Sequence, residues 1–220
     1  MFEQATRSAL NELVPINDTM KISYPITYVH SDNIGAELNL EIYENTPFNP
    51  FAVYNFSELY AALNIVDNAK ITLQDNIILA KSETVSIKYK LTALSIIQDE
   101  VRILHYISDL KKENKIGSFD LSKENLVKII KGSGFMQDLI NLNLEMKDEL
   151  KISVSKDNIS SNDYHFYIPS NLPSDFKKTI SLEIINKLPR VDYNIDVYNK
   201  VLILSTVSIP GLTIYMKYEN

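Results

Sequence analysis

The chain has 220 residues and a formal net charge of -6, with 45% hydrophobic and 23% charged residues, a balance suited to a soluble protein with one large core or two small ones. With no cysteine there is no disulfide, thiol nucleophile or cysteine-ligated zinc, which points to a reducing cytoplasm. No apolar run approaches the ~20 residues that span a membrane, and the opening "MFEQATRSALNEL" has no apolar core of a secretion signal.

In chain order, "QATRSALNELVPINDTMKISY" predicts a helix with Leu10, Leu13 and Val14 inward, broken by Pro15 and followed by a strand. "ITYVHSDNIGAELNLEIY" reads as a pair of strands. A second helix follows an Asn55 cap in "NFSELYAALNIV", where Phe56, Leu59 and Leu63 share one face. Residues 69–91 alternate as strand, Asp75-Asn76 turn, strand, loop and strand. Residues 92–115 match nothing else in the chain and read as a connector anchored by Ile103, Tyr106 and Ile107.

The second half opens on "LSKENLVKIIKG", an amphipathic helix with a Ser122 cap and a stop at Gly132. Its spacing sets Leu126, Ile129 and Ile130 inward and Glu124, Lys128 and Lys131 outward. An alternating strand over 139–146 follows, then two strands in "ELKISVSKDN" and "DYHFYIP". A short helix in "SLEIINKLP" is capped by Ser181 and stopped by Pro189. Residues 193–218 end the chain as three strands, with a polar turn at Asn199-Lys200 and the insertion Ile209-Pro210-Gly211.

The pattern of helix, about three strands, helix and three strands therefore occurs twice. It predicts an α+β protein of two similar domains, 1–111 and 112–220, with the connector at about 92–115. Nothing in it suggests an enzyme. There is no glycine-rich phosphate loop, nucleophile elbow or H-E-x-x-H, and His30, His105 and His165 are scattered, so neither a metal nor a cofactor is expected. Asp192 and Asp196 flank a turn, where a carboxylate pair is usually just solvated. The lysines are more telling. On a single helix they would merely aid solubility, but cations that recur on helices of an acidic chain would, on one concave surface, follow a phosphate backbone.

Four segments carry a family resemblance: "SALNELVPINDTMKI", "VYNFSELYAALNIVDNAKI", "SKENLVKIIKGSGFM" and "SLEIINKLPRVDYNIDV". Together they resemble the sliding clamps, or DNA polymerase processivity factors, of T-even-type bacteriophages, which share their fold with proliferating cell nuclear antigen. The resemblance implies a DNA-clamp fold in which helices line, and antiparallel sheets surround, a ring of three copies around duplex DNA, held without sequence preference and without a catalytic step. It implies DNA polymerase and a clamp loader as partners, and the host cytoplasm as the location. By position it implies DNA-facing Arg7, Lys123, Lys128, Lys131, Lys177, Lys178, Lys187 and Arg190. It places the junction between copies at Val85, Ile87 and Tyr89 against Tyr164, Phe166 and Ile168, and a partner-peptide pocket at Ile103, Tyr106, Val201 and Tyr215. The first half departs from the pattern, since Arg7 is offset by Glu3 and Glu12 and the second helix carries only Glu58. A viral structural β-protein is the alternative that composition alone leaves open.

Overall fold

In a computed structural model, residues 3–66, 69–97, 107, 109, 114–135, 140–156 and 164–219 are described. The chain divides into two compact units. The first comprises Met1–Ser31, Ala36–Arg102 and Pro210–Leu212, and the second Asp32–Gly35, Ile103–Ile209 and Thr213–Asn220.

The first unit runs α1 (Gln4–Asn11), β1 (Met20–Ile22), β2 (Ile26–Ser31), most of β3 (Ile34–Asn39), β4 (Phe51–Val53), α2 (Phe56–Asn64), β5 (Lys70–Gln74), β6 (Ile77–Lys81) and β7 (Ser86–Lys90). Its sheets follow the orders β4-β1-β2-β3 and β5-β6-β7. The helices form where the sequence supplies a cap. The Asn55 side chain accepts from the Glu58 N–H at 2.9 Å, while Asp18 accepts from the Ser57 N–H and hydroxyl, so two acceptors serve the open N–H groups of α2. α1 has no cap from its own Glu3 side chain. The buried carboxylate of Glu44 serves instead, accepting from the Glu3 N–H at 2.8 Å and the Thr6 hydroxyl at 2.7 Å. α1 packs on α2 with Leu10, Phe56, Leu59 and Leu63 at 0–1% exposure.

The second unit runs β8 (Gly117–Leu121), α3 (Lys123–Phe135), β9 (Asn141–Met146), β10 (Leu150–Ser155), β11 (Tyr164–Ile168), β12 (Lys177–Ser181), α4 (Leu182–Asn186), β13 (Tyr193–Val197), β14 (Val201–Ser205) and most of β15 (Leu212–Lys217). Its sheets follow β11-β10-β9-β12 and β15-β14-β13-β8. The arrangement of β9 to β12 repeats that of β1 to β4, the fourth strand returning beside the first. Leu126 and Ile129 of α3, Ile185 of α4, Leu144, Ile152, Ile195 and Leu202 build its interior, each 0–2% exposed.

Three sequence expectations change. Gly132 does not stop its helix, which continues to Phe135; the Ser133 hydroxyl donates to the Ile130 carbonyl, and Gly132 leaves room for the Tyr164 ring, 3.2 Å from where a Cβ would stand. Val14 and Ile130, both expected inward, are only half-buried. The short strands β4, β8 and β12 also add to the elements read from periodicity.

Candidate nucleic-acid interface

On α3, Ser122 accepts from the Asn125 N–H at 3.2 Å, so the helix starts where the sequence sets its cap. Leu126 and Ile129 point into the core, and the 100° step per residue then turns Lys128 and Lys131 to solvent. Lys123 and Lys131 are exposed. Lys128 instead forms an ion pair with Glu124, one turn earlier, at 2.6 Å. The hydrogen bond between them, and then their opposite charges, hold Lys128 above the usual lysine value and Glu124 below the usual carboxylate value. Both therefore stay charged through neutral pH and largely cancel.

The other predicted cations divide by what their charge touches. Lys187 follows α4 and pairs with Glu183 at 2.9 Å. Arg190 turns back on the same helix, donating to the carbonyls of Leu188 at 3.0 Å and Asn186 at 3.3 Å, so it closes the helix C-terminus. Arg7 of α1 does the same for α2, donating to the Leu63 carbonyl at 3.3 Å and to Asn64 Oδ1 at 3.5 Å. Lys177 and Lys178 stand on a strand, not a helix: β12 pairs with β9, its neighbours alternate in facing, and Lys177 is exposed while Lys178 is half-buried. The Lys178 ammonium lies 5.0 Å from the centre of the Tyr218 ring. Of the eight predicted cations, Lys123, Lys131 and Lys177 are thus the most open to an external anion.

The predicted junction residues sit on two open sheet edges. β7 ends one sheet and β11 ends another, and each has a neighbour on one side only among the described residues. Val85 precedes β7 and is 40% exposed; Ile87 and Tyr89 are half-buried. The Tyr89 hydroxyl donates to the Asn55 carbonyl at 2.9 Å, and burial raises its pKa above the ordinary tyrosine value. On β11, Tyr164 and Phe166 are half-buried with ring centres 6.1 Å apart, and Ile168 is buried. The predicted peptide pocket fares differently. Val201 and Tyr215 are interior residues of β14 and β15, 0% and 2% exposed, while Ile103 and Tyr106 lie outside the described residues. Sequence reasoning missed Glu44, whose role needs a contact 41 residues away, and the backbone edges, which carry no side-chain signal.

Among solved structures, proliferating cellular nuclear antigen from Entamoeba histolytica aligns at a TM-score of 0.68 and 13% identity, over 97% of this chain and 94% of that one. The fold is that of the DNA polymerase sliding clamps. Within that fold, the DNA polymerase III beta chain of Streptococcus pneumoniae aligns at a TM-score of 0.67 and 12% identity over 97% of this chain, and the sliding clamp of Pseudomonas aeruginosa at 0.61 and 10% over 99%. This chain spans 63% and 62% of those two bacterial clamps. No protein-family model and no curated sequence matches it. At such identities the sliding-clamp likeness is one of fold, carried by the twice-used order of helices and strands. No helix among the described residues is long and apolar enough to cross a membrane.

Proposed function

We propose that this chain is one subunit of a closed ring that encircles duplex DNA and tethers a DNA polymerase for processive synthesis. The observation that carries the reading is the end-to-end match to a clamp of nearly the same length, 97% of this chain against 94% of the other. In this reading residues 1–111 and 112–220 are two copies of one domain. Three chains close by setting β7 against β11 of the next, so that Ile87 and Tyr89 meet Tyr164 and Phe166, and each exposed edge gains a partner. A polymerase and a clamp loader are the protein partners, a bacteriophage the source and the host cytoplasm the place. The role is a scaffold's and needs no catalytic step.

Lys123 and Lys131 of α3 form the DNA-facing set, joined by Lys128 where a phosphate displaces Glu124 from it. A single charge contact at ~4 Å is worth about 1 kcal/mol in bulk water, so a few such contacts on an acidic protein hold linear DNA poorly. Retention comes from encirclement. The ring is therefore expected to stay on a nicked circular plasmid through size filtration and to leave once a restriction enzyme opens the circle. Equal retention on circular and linear DNA would overturn the reading, because direct contacts survive cutting.

The Glu124–Lys128 pair gives a second expected result. Glu124→Gln frees the Lys128 charge on α3, and the salt dependence of binding to a short duplex steepens by about one unit in log–log slope per added phosphate contact. Fluorescence anisotropy across a salt series measures it. An unchanged slope removes Lys128 from the DNA-facing set.

A further inference from the structure

The three-stranded sheet β5-β6-β7 has a counterpart in the second unit, β13-β14-β15, each following the second helix of its unit. Their first strands differ in what lies beside them. β13 is flanked by β8, antiparallel, with Ile195 opposite Phe119 and Tyr193 opposite Leu121. β5 has no such neighbour among the described residues.

The direction of each backbone group follows from the ladder. The Leu91 N–H donates to the Asn76 carbonyl at 2.8 Å, one step past the Lys90–Ile77 pair, so Ile87 and Tyr89 of β7 bond to β6. Ile78 and Ala80 of β6 then bond to β7, and Ile77, Leu79 and Lys81 bond to β5. On β5 this uses Lys70, Thr72 and Gln74 and turns the N–H and C=O of Ile71 and Leu73 outward. β13 obeys the same rule. The Tyr198 N–H donates to the Val201 carbonyl at 3.0 Å, which directs Ile195 and its alternates toward β8.

The side chains agree with the backbone. Ile71 and Leu73 lie on the face of the buried Ile78 and Ala80, yet both are only half-buried, whereas Ile195 beside β8 is 2% exposed. On the opposite face Lys70 and Lys81 stand opposite each other in register, both exposed. β8 shows what such an edge accepts: in Gly-Ser-Phe-Asp-Leu the buried Phe119 and Leu121 alternate with the exposed Asp120.

We propose that the outer edge of β5 is a docking site for an extended segment of a partner protein. The segment adds antiparallel over about five residues, with an apolar side chain at every second position and a carboxylate between them, facing Lys70 and Lys81. Main-chain bonds to Ile71 and Leu73 supply the anchoring, and the apolar side chains cover the half-exposed Ile71 and Leu73. The site is independent of the ring reading, since that reading uses β7 and β11.

The probe is a fluorescent synthetic peptide with the sequence of residues 116–122, titrated into the full chain and followed by anisotropy. Saturable binding is expected, and a scrambled peptide should not bind. Leu73→Pro removes an outward N–H without touching the bonds to β6 and should weaken binding about fivefold to tenfold, the worth of one backbone hydrogen bond. Methylating the peptide at the Phe119 amide should weaken it similarly on the unaltered protein, which keeps the test valid if the proline variant misfolds. Absent binding at millimolar peptide, equal binding of the scrambled peptide, or indifference to both changes overturns the proposal. So does a fall in the protein's molar mass on adding peptide, because a second copy would then be the occupant of the edge.

Discussion

Replacing Tyr167 with proline is expected to separate the assembly into single chains while each chain remains folded. The reason lies in the direction of one N–H group. The Met146 N–H donates to the Phe176 carbonyl at 2.9 Å, so Leu142, Leu144 and Met146 of β9 bond toward β12, and Asn143 and Glu145 toward Ser153 and Lys151 of β10. Leu150, Ile152 and Val154 are then left to bond Ile168, Phe166 and Tyr164 of β11. The N–H of Tyr167 therefore points to the open edge, where the proposed ring closes. Its side chain is 55% exposed, so proline costs the interior little. Phe166→Pro would instead cut a bond to β10 and remove a half-buried ring, confusing loss of assembly with loss of fold. Light scattering over a concentration series should find three times 25.1 kDa for the native protein and 25.1 kDa for Tyr167→Pro, with the circular dichroism of the two alike. An unchanged mass for the variant would move the junction away from β11.

The same one-residue question marks the limit of what the sequence reveals. The hairpins β5–β6 and β13–β14 are legible because apolar and polar residues alternate around polar turns, and α2 and α4 are legible because Asn55 and Ser181 cap them at the expected positions. β12 is not legible. Its Lys-Lys-Thr-Ile-Ser is a poor strand by composition and becomes one by pairing with β9 across more than 30 residues. β4 hides for another reason: Phe51, Ala52 and Val53 are all buried, so no alternation exists to read. The lysines show a similar divide. Which helix face Lys128 and Lys131 occupy follows from periodicity, but the capture of Lys128 by Glu124 and of the Arg7 and Arg190 guanidinium groups by helix carbonyls is settled by rotamers and tertiary neighbours. Charge counting along the sequence therefore overstates the positive field that these side chains present to an external anion.

Two glycines should respond to substitution with opposite signs, and the contrast isolates backbone geometry from composition. Gly211, in the loop before β15, has φ +75, a conformation that costs an L-residue about 1–2 kcal/mol. A Cβ there would stand 2.7 Å from Ile42 Cδ1 and 3.0 Å from Asn39 Cβ. The isoleucine tip can move, whereas Asn39 is held by its N–H bond to the Gly211 carbonyl at 3.1 Å, so the crowding adds to the strain. Gly211→Val, branched at Cβ, is expected to cost about 3 kcal/mol and lower the melting temperature by about 6–12 °C for a chain of this size. Gly134 lies inside α3, where a Cβ meets nothing within 4 Å. Gly134→Ala removes backbone freedom from the unfolded chain at no steric cost, and should stabilise by about 0.5–1 kcal/mol, or about 1–4 °C. Differential scanning calorimetry reads both. A Gly211→Val protein melting within a degree of the native chain would show that the loop relaxes to ordinary dihedral angles, and the fixed entry into β15 would then lose its physical basis.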